Sequence, residues 1–405
     1  MTIVAILAVC LFIYFLVEYL VGIIESANFI KKSKTKPKQR DGHHNIAIVI
    51  PLYDEASIIR ETVDYFRIVS HKTDLPIYFV STRREGKKNM NPTHIQVERL
   101  IKKDRKMKLV FYPGKIMTKA AQINYVMQKV SKSRRIDYFA VFDADSKPDI
   151  HGIRFVQNYH GMPDVFQMPT SYTATCGKCI NNVNSIFQTR WTYCYEIPHW
   201  IRWSKGKNPT VCYLVGHGLF IKNGLCFADD SITEDLDLGY RLSASSRTSF
   251  CLVPFFDLAT TPNSFSVLTM QSSRWFVGEI VTIPKLFGYY ISNKSARYLF
   301  EILLRCAHIV PWIFGVPALV VIMFIGVLTR DIMIVIMLIS LIICYIYLLH
   351  LPFIGKLLSI EDKIQVLAIL PIRCTIIFMG PIATVVQLMT HKTTRKAIDF
   401  NKTIR

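Results

Sequence analysis

Residues 138–145 read Tyr-Phe-Ala-Val-Phe-Asp-Ala-Asp. Five apolar residues in a row, aromatic and β-branched, suit a short strand buried on both faces. Three similar runs lie upstream: NIAIVIP at 45–51, PIYFVS at 76–81 and KLVFY at 108–112. The stretches between them carry helical spacing. Ile58, Ile59, Val63, Phe66 and Val69 mark a helix over 54–70. A mostly polar helix covers 93–105. A third covers 118–130, with Ala121, Tyr125 and Val126 on one face. Alternating strands and helices predict an α/β domain, a mostly parallel sheet with helices on both faces. Ligands of such sheets sit beyond the carboxyl ends of the strands. Asp143 and Asp145 leave the fourth strand at that place. Carboxylates at i and i+2 can share one hard cation, Mg or Mn, that keeps positions open for phosphate oxygens.

Composition sets the surroundings of this domain. The chain has 405 residues, with 49 Lys and Arg against 29 Asp and Glu, a formal charge of +20, and 51% apolar residues. Mean hydropathy is +0.28. Those values exclude a disordered chain and fit a membrane protein with a cationic cytoplasmic face. Nucleic-acid binding is the rival explanation of the charge; the apolar segments set it aside. Residues 1–24 are apolar except Glu18, long enough to span a bilayer. No Lys or Arg precedes them, unlike a secretory signal. A basic linker to residue 44 follows, with the run KKSKTKPKQR at 31–40, and holds the downstream side in the cytoplasm.

At the other end, 306–329 and 332–355 contain no Asp, Glu, Lys or Arg. They predict two spans joined at Arg330 and Asp331. Residues 364–390 are a third candidate, interrupted by Pro371, Arg373, Gly380 and Pro381; they span, or lie re-entrant. Three spans would put the tail 391–405 outside, against its Lys392, Arg395, Lys396, Lys402 and Arg405; two spans and an interfacial segment would satisfy those charges. The aromatic-rich stretches 185–203 and 275–290 suit interfacial helices, or alternatively a buried aromatic core. The ten cysteines lack framework spacing and are expected to be reduced, and Cys176 and Cys179 form a lone CxxC.

Further motifs stand in a set order: Pro51-Leu-Tyr-Asp-Glu55, Lys119 with Asn124, Asp143-Ala-Asp145, Gln167-Met-Pro169, Thr233-Glu-Asp235 and Gln271-Ser-Ser-Arg-Trp275. Together they resemble the family 2 glycosyltransferases, in particular the membrane-embedded processive synthases related to cellulose, hyaluronan and chito-oligosaccharide synthases. The resemblance covers about 45–290 and, in layout, the flanking apolar segments. It implies a GT-A-like domain over 45–270, the QxxRW helices over 271–300 and a transmembrane region over 301–390. It further implies nucleotide contacts at Pro51, Tyr53, Glu55, Lys119, Asn124 and Asp143, and metal ligation by Asp143 and Asp145. Asp235 corresponds to the catalytic base. Glu234, His217, Gln271, Arg274 and Trp275 would meet the acceptor or the diphosphate.

Elementary chemistry agrees. Sugar transfer needs a stabilised leaving diphosphate and a base for the acceptor hydroxyl. Ser231 to Glu234 resembles a capping box, which places Asp235 in the first turn of a helix. Gln271, Arg274 and Trp275, at i, i+3 and i+4, share a helical face. The expected function is direct, inverting transfer from a nucleotide-sugar to a growing polysaccharide. The expected location is the plasma (inner) membrane, with the catalytic domain cytoplasmic. The partners would be donor, polysaccharide or glycolipid acceptor, bilayer and a possible second copy. The resemblance favours a UDP-sugar. Many members carry an acidic pair after the second strand, where this chain reads STRRE at 81–85, leaving Glu85 as the substitute. The loop before TED is Gly216-His-Gly218, where members often have Gly-Thr-Gly. The alternatives are a non-processive transferase acting on a lipid-linked acceptor, and a non-catalytic transporter or scaffold.

Overall fold

The computed structural model describes residues 2–35, 42–116, 118–132, 135–174, 177–206, 211–229, 231, 233–245, 247–294, 296–357 and 359–390. Part of the basic run (36–40), Cys176, Ile232 and the tail 391–405 lie outside them.

The first half follows the alternation. Strand β1 (Ile46–Pro51) leads through helix α2 (Ile59–Thr73) to β2 (Ile77–Thr82), then through α3 (Pro92–Ile101) to β3 (Met107–Tyr112). Helix α4 (Lys119–Ser131) returns the chain to β4 (Tyr138–Val141). Later come β5 (Lys147–Pro148), α5 (Ile150–Gln157), β6 (Val165–Gln167), β7 (Thr170–Tyr172), β8 (Leu219–Lys222), β9 (Phe250–Leu252) and β10 (Asp257–Ala259). The main sheet runs β3-β2-β1-β4-β8-β6-β9, and a small sheet runs β5-β10-β7. β3, β2, β1 and β4 are parallel neighbours; β8 is antiparallel to β4 and β6.

All six residues of β1 are buried. Ala47 and Val49 enter one apolar cluster, and Ile46, Ile48 and Ile50 the other. This is the period of two expected where helices cover both faces. Strand order reverses between β1 and β4, so the crevice beyond their carboxyl ends is flanked by residues 51–55 and 143–145.

Further helices complete the described chain. Helix α1 spans Thr2–Thr35, past the expected end at residue 24, so the start of the basic run is helical. Gly22 lies against the chain at Cys194: a β-carbon there would come within 2.4 Å of the Cys194 carbonyl. Helix α6 (Cys179–Trp191), a π-turn (Thr192–Glu196) and α7 (Ile197–Lys205) form one continuous rod. Of the two expectations for 185–203, interfacial helices or a buried aromatic core, the packing fits the core. Trp200, Trp203, Ile197 and Tyr195 are buried, and Trp203 stacks on Phe250 at 4.4 Å between centroids. Trp191 and Tyr193 are half-buried.

Helix α8 (Glu234–Ser243) precedes α9 (Phe265–Asn293), α10 (Ala296–Leu328), α11 (Ile332–Ile343), the short α12 (Leu351–Ile354) and α13 (Ile360–Thr390). The QxxRW motif thus sits inside a helix that begins at Phe265. Helix α13 runs through Pro371 and Pro381 unbroken. Among the described residues three helices are long and apolar enough to cross a membrane, over Phe12–Ser33, Val335–Ile354 and Ile360–Ile382. Helix α10 carries the charge-free run as far as Leu328. At 1.5 Å per residue it is about 50 Å long, more than the roughly 30 Å hydrocarbon core.

Candidate active site

The crevice is organised around Lys119, the first residue of α4. Thr118 caps that helix, its side chain accepting from Ala121 N at 3.2 Å. Lys119 Nζ donates to Asp143 Oδ1 at 2.7 Å and to the Gly216 carbonyl at 2.8 Å, and lies 3.5 Å from Glu234 Oε1. Burial works against its charge, but Asp143 first and then Glu234 outweigh it, so the ammonium is held protonated above its usual range. Asp235 completes the group. A β-carbon at Gly216 would stand 2.9 Å from Asp235 Oδ2 and 3.0 Å from Lys119 Nζ. Glycine there leaves the space between the Asp235 carboxylate and the Lys119 ammonium open. The DxD and TED aspartates, 92 positions apart by subtraction (235 − 143), therefore face one lysine.

Glu234 and Asp235 lie in the first turn of α8, where the helix dipole favours negative charge. The capping box does not form in the expected register: the helix starts after Thr233, whose side chain makes no cap bond. Glu234 is buried, which pushes its carboxyl up to about 7 against the pull of Lys119.

A second layer holds the loop 215–218. Gln167 donates to the His217 carbonyl at 2.9 Å and accepts from Val215 N at 3.1 Å. Gly218 has φ +64 and its carbonyl accepts from Met168 N at 2.7 Å; a β-carbon would press on Met168. His217 Nδ1 lies 2.8 Å from Asp257 Oδ2, and Asp257 also accepts from Ser146 Oγ at 2.8 Å. Burial would pull His217 down; the hydrogen bond and charge of Asp257 more than reverse this, so its imidazolium is favoured. Asp145 Oδ2 accepts from Thr260 Oγ1 at 2.9 Å. The small sheet delivers Asp257 and Thr260 to the DxD loop.

At the far end, Tyr53 stacks under Arg84, its ring centroid 4.4 Å from the guanidinium carbon. Asp54, at φ +55, donates its amide to Glu85 Oε1 at 2.5 Å. Glu55 N donates to Thr93 Oγ1 at 3.1 Å, and Pro51 closes β1. Residues 51–55 and 82–85 thus meet. Asn124 is used differently. Its amide donates to the Phe227 carbonyl at 2.9 Å and Asp229 Oδ1 at 2.6 Å, and accepts from Phe227 N at 3.1 Å. It pins a loop.

The QxxRW helix reaches the site through Gly278, whose β-carbon position is 2.4 Å from the Thr233 side chain. Gln271 is buried with Oε1 unbonded among the described residues. Arg274 and Trp275 are half-buried. Among the described residues no hydrogen bond ties them to the Lys119 group. Helix α9 is anchored by Glu279, which accepts from Tyr240 at 2.8 Å and pairs with Arg305 of α10.

Sequence reasoning missed Asp257, Ser146, Thr260, and Glu196 with Tyr213 and Tyr172. Glu196 sits in the π-turn, bonded to Thr192 and Tyr213, both at 2.9 Å. Burial, then Glu196 and Asp257, push the Tyr172 hydroxyl up, which places it near these acids. None belongs to a short motif.

As to a metal, no cluster of three or more His, Cys, Asp or Glu able to hold one exists among the described residues. The hard pair Asp143 and Asp145 fits an oxygen-loving divalent ion that completes its shell with water and phosphate oxygens.

No protein-family model and no curated protein matches the sequence. Solved structures do. The mannosyltransferase PcManGT from Pyrobaculum calidifontis, in complex with GDP-Man and Mn2+, superposes with a TM-score of 0.51 at 12% identity, over 95% of this chain and 100% of that one. S. aureus TarS 1-349 gives 0.33 at 11% identity, over 57% and 65%. The inositol-1-phosphate CTP transferase of T. maritima gives 0.24 at 10%, over 54% and 86%. At such identities the first likeness speaks for the fold: the domain is GT-A-like, a mostly parallel seven-stranded sheet with helices, joined to apolar helices.

Proposed function

We propose that the protein is a glycosyltransferase that moves a sugar from a nucleotide donor to an acceptor at a membrane face. The observation that carries this reading is Lys119 standing between Asp143 on one side and Glu234 and Asp235 on the other, at the switch point of the sheet. Diphosphate on the Asp143 side and acceptor hydroxyl on the Asp235 side would meet across Gly216. Asp235 takes the proton from the acceptor. Lys119, and His217 whose protonated form Asp257 favours, take up charge on the leaving diphosphate. Mg or Mn, held by Asp143 and Asp145, would add neutralising charge there. Direct attack inverts the anomeric centre. The similar mannosyltransferase, solved with GDP-Man and Mn2+, supports a nucleotide-sugar and a divalent ion.

The reading extends to a processive polysaccharide synthase, as the QxxRW motif and the packing of its helix on Thr233 through Gly278 suggest. Single transfer to a lipid-linked acceptor is its rival; a gel of the products separates a ladder from one band. The test of the site is calorimetric titration of nucleoside diphosphates with and without Mn. Wild-type protein should bind one of them more tightly with Mn, and Asp143→Ala should lose that gain. Binding unchanged by Asp143→Ala would remove the metal role.

A further inference from the structure

Arg190 on α6 and Arg373 on α13 are 1% and 0% exposed. Both guanidinium groups lie on Phe187, with carbon-to-centroid distances of 4.7 and 3.9 Å. Arg373 Nε donates to Asn184 Oδ1 at 2.7 Å. Its Nη1 and Nη2, and Arg190 Nε, have no hydrogen-bond partner among the described residues. Neither arginine has an Asp or Glu partner there. The surroundings are Phe187, Tyr345, Tyr19, Cys194 and Cys374. An unpaired cation removed from water is among the most unfavourable arrangements a protein can hold, and here there are two.

We propose that Arg373 and Arg190 form a binding site for a phosphate group. The donor arithmetic favours phosphate. Nη1 and Nη2 carry four N–H groups and Arg190 Nε a fifth. A carboxylate offers about four acceptor positions on two oxygens, a phosphomonoester more on three. Guanidinium forks match phosphate oxygens bidentately. Through Arg373 the site lies on a helix long and apolar enough to cross a membrane, and it has a link to the crevice. Arg373 stands one turn before Ile377, whose carbonyl accepts from Ser272 of the QxxRW motif at 3.0 Å. Asn184, which holds Arg373, also donates to the Pro262 carbonyl at 2.8 Å, two residues past the Thr260 that holds Asp145. A phosphate here would sit behind both the DxD loop and the QxxRW helix α9. It would enter by parting α6 from α13, since its donors have no solvent contact.

The inference goes beyond the proposed activity, and its test uses no nucleotide-sugar. Full-length protein, stripped of lipid in detergent, is offered phosphatidic acid, phosphatidylcholine or inorganic phosphate. Ligand retention is read by native mass spectrometry and melting temperature. Wild-type protein should hold phosphatidic acid at least tenfold more tightly than Arg373→Gln or Arg190→Gln, with Arg373→Lys between. A melting shift with inorganic phosphate but none with phosphatidic acid would identify free phosphate as the source and uphold the site. Should the glutamine variants fail to fold, the wild-type dose response and Arg373→Lys decide. Equal retention by wild type and variants would overturn the proposal. So would wild-type protein that does not prefer phosphatidic acid to phosphatidylcholine and does not respond to phosphate.

Discussion

Gly216→Ala probes the gap on which the proposed chemistry depends. The added β-carbon would meet Asp235 Oδ2 at 2.9 Å, Lys119 Nζ at 3.0 Å and Asp235 Cγ at 3.4 Å. Relaxed carbon contacts are about 3.5 Å or more, so both side-chain ends must retreat by about half an ångström. Both are flexible tips, so the cost to stability stays near the low end of overpacking, about 1 kcal/mol. Catalysis is less forgiving, because a misplacement of about 1 Å can cost 10²-fold. Half that displacement, in the base and the ammonium together, predicts a fall in kcat/KM of about tenfold or more. The assay is donor-dependent nucleotide release beside thermal melting. Gly288→Ala is the control, on α9 with nothing within 4 Å of the new carbon; it should keep full turnover. Full turnover in Gly216→Ala would refute the placement of Asp235 and Lys119 as a reacting pair, and so would an activity loss no larger than its loss of folded protein explains.

Other outcomes follow from the same groups. His217 is held above its ordinary value by Asp257, so stability linked to its protonation is present below about pH 6.5 and is lost as pH rises through the folded value. Asp257→Asn should remove that dependence in pH-resolved melting and move the alkaline limb of the rate profile to lower pH. Glu234 has its carboxyl raised to about 7 by burial, so ionising it above its unfolded range disfavours folding. The melting temperature of Glu234→Gln relative to wild type should climb between pH 4.5 and 7 and then level, for a gain of up to about 3 kcal/mol. Glu279→Gln should destabilise by about 3–5 kcal/mol in denaturant titration, because it strands the buried Arg305. The exposed pair Lys106 and Asp74 should be silent when Lys106 is replaced by Ala.

What could be read from the sequence was what local patterning encodes. Buried parallel strands read as unbroken apolar runs, so β1 to β4 and the crevice they open toward were visible, as were the carboxylates at their ends. The aromatic stretch 185–203 left two readings open because burial in a core and residence at a lipid surface select the same residues. The span 364–390 looked interrupted because Arg373 and two prolines break a hydropathy pattern. In the structure the arginine is turned inward onto Phe187 and the helix continues. Asp257 and Thr260 escaped notice because a three-residue strand, β10, has no periodicity to reveal it. That strand is placed by pairing with Lys147 to Pro148 and Thr170 to Tyr172, more than eighty residues away, and Thr260 follows directly after it.

The most direct test of the central claim is turnover. The protein, purified in detergent with Mn or Mg, is offered UDP-, GDP-, CDP- and dTDP-sugars one at a time, and free nucleotide is measured. The account predicts release from one donor class, abolished by Asp235→Asn and by Asp143→Ala in protein that still melts as wild type does. Release that persists undiminished in both variants would contradict it.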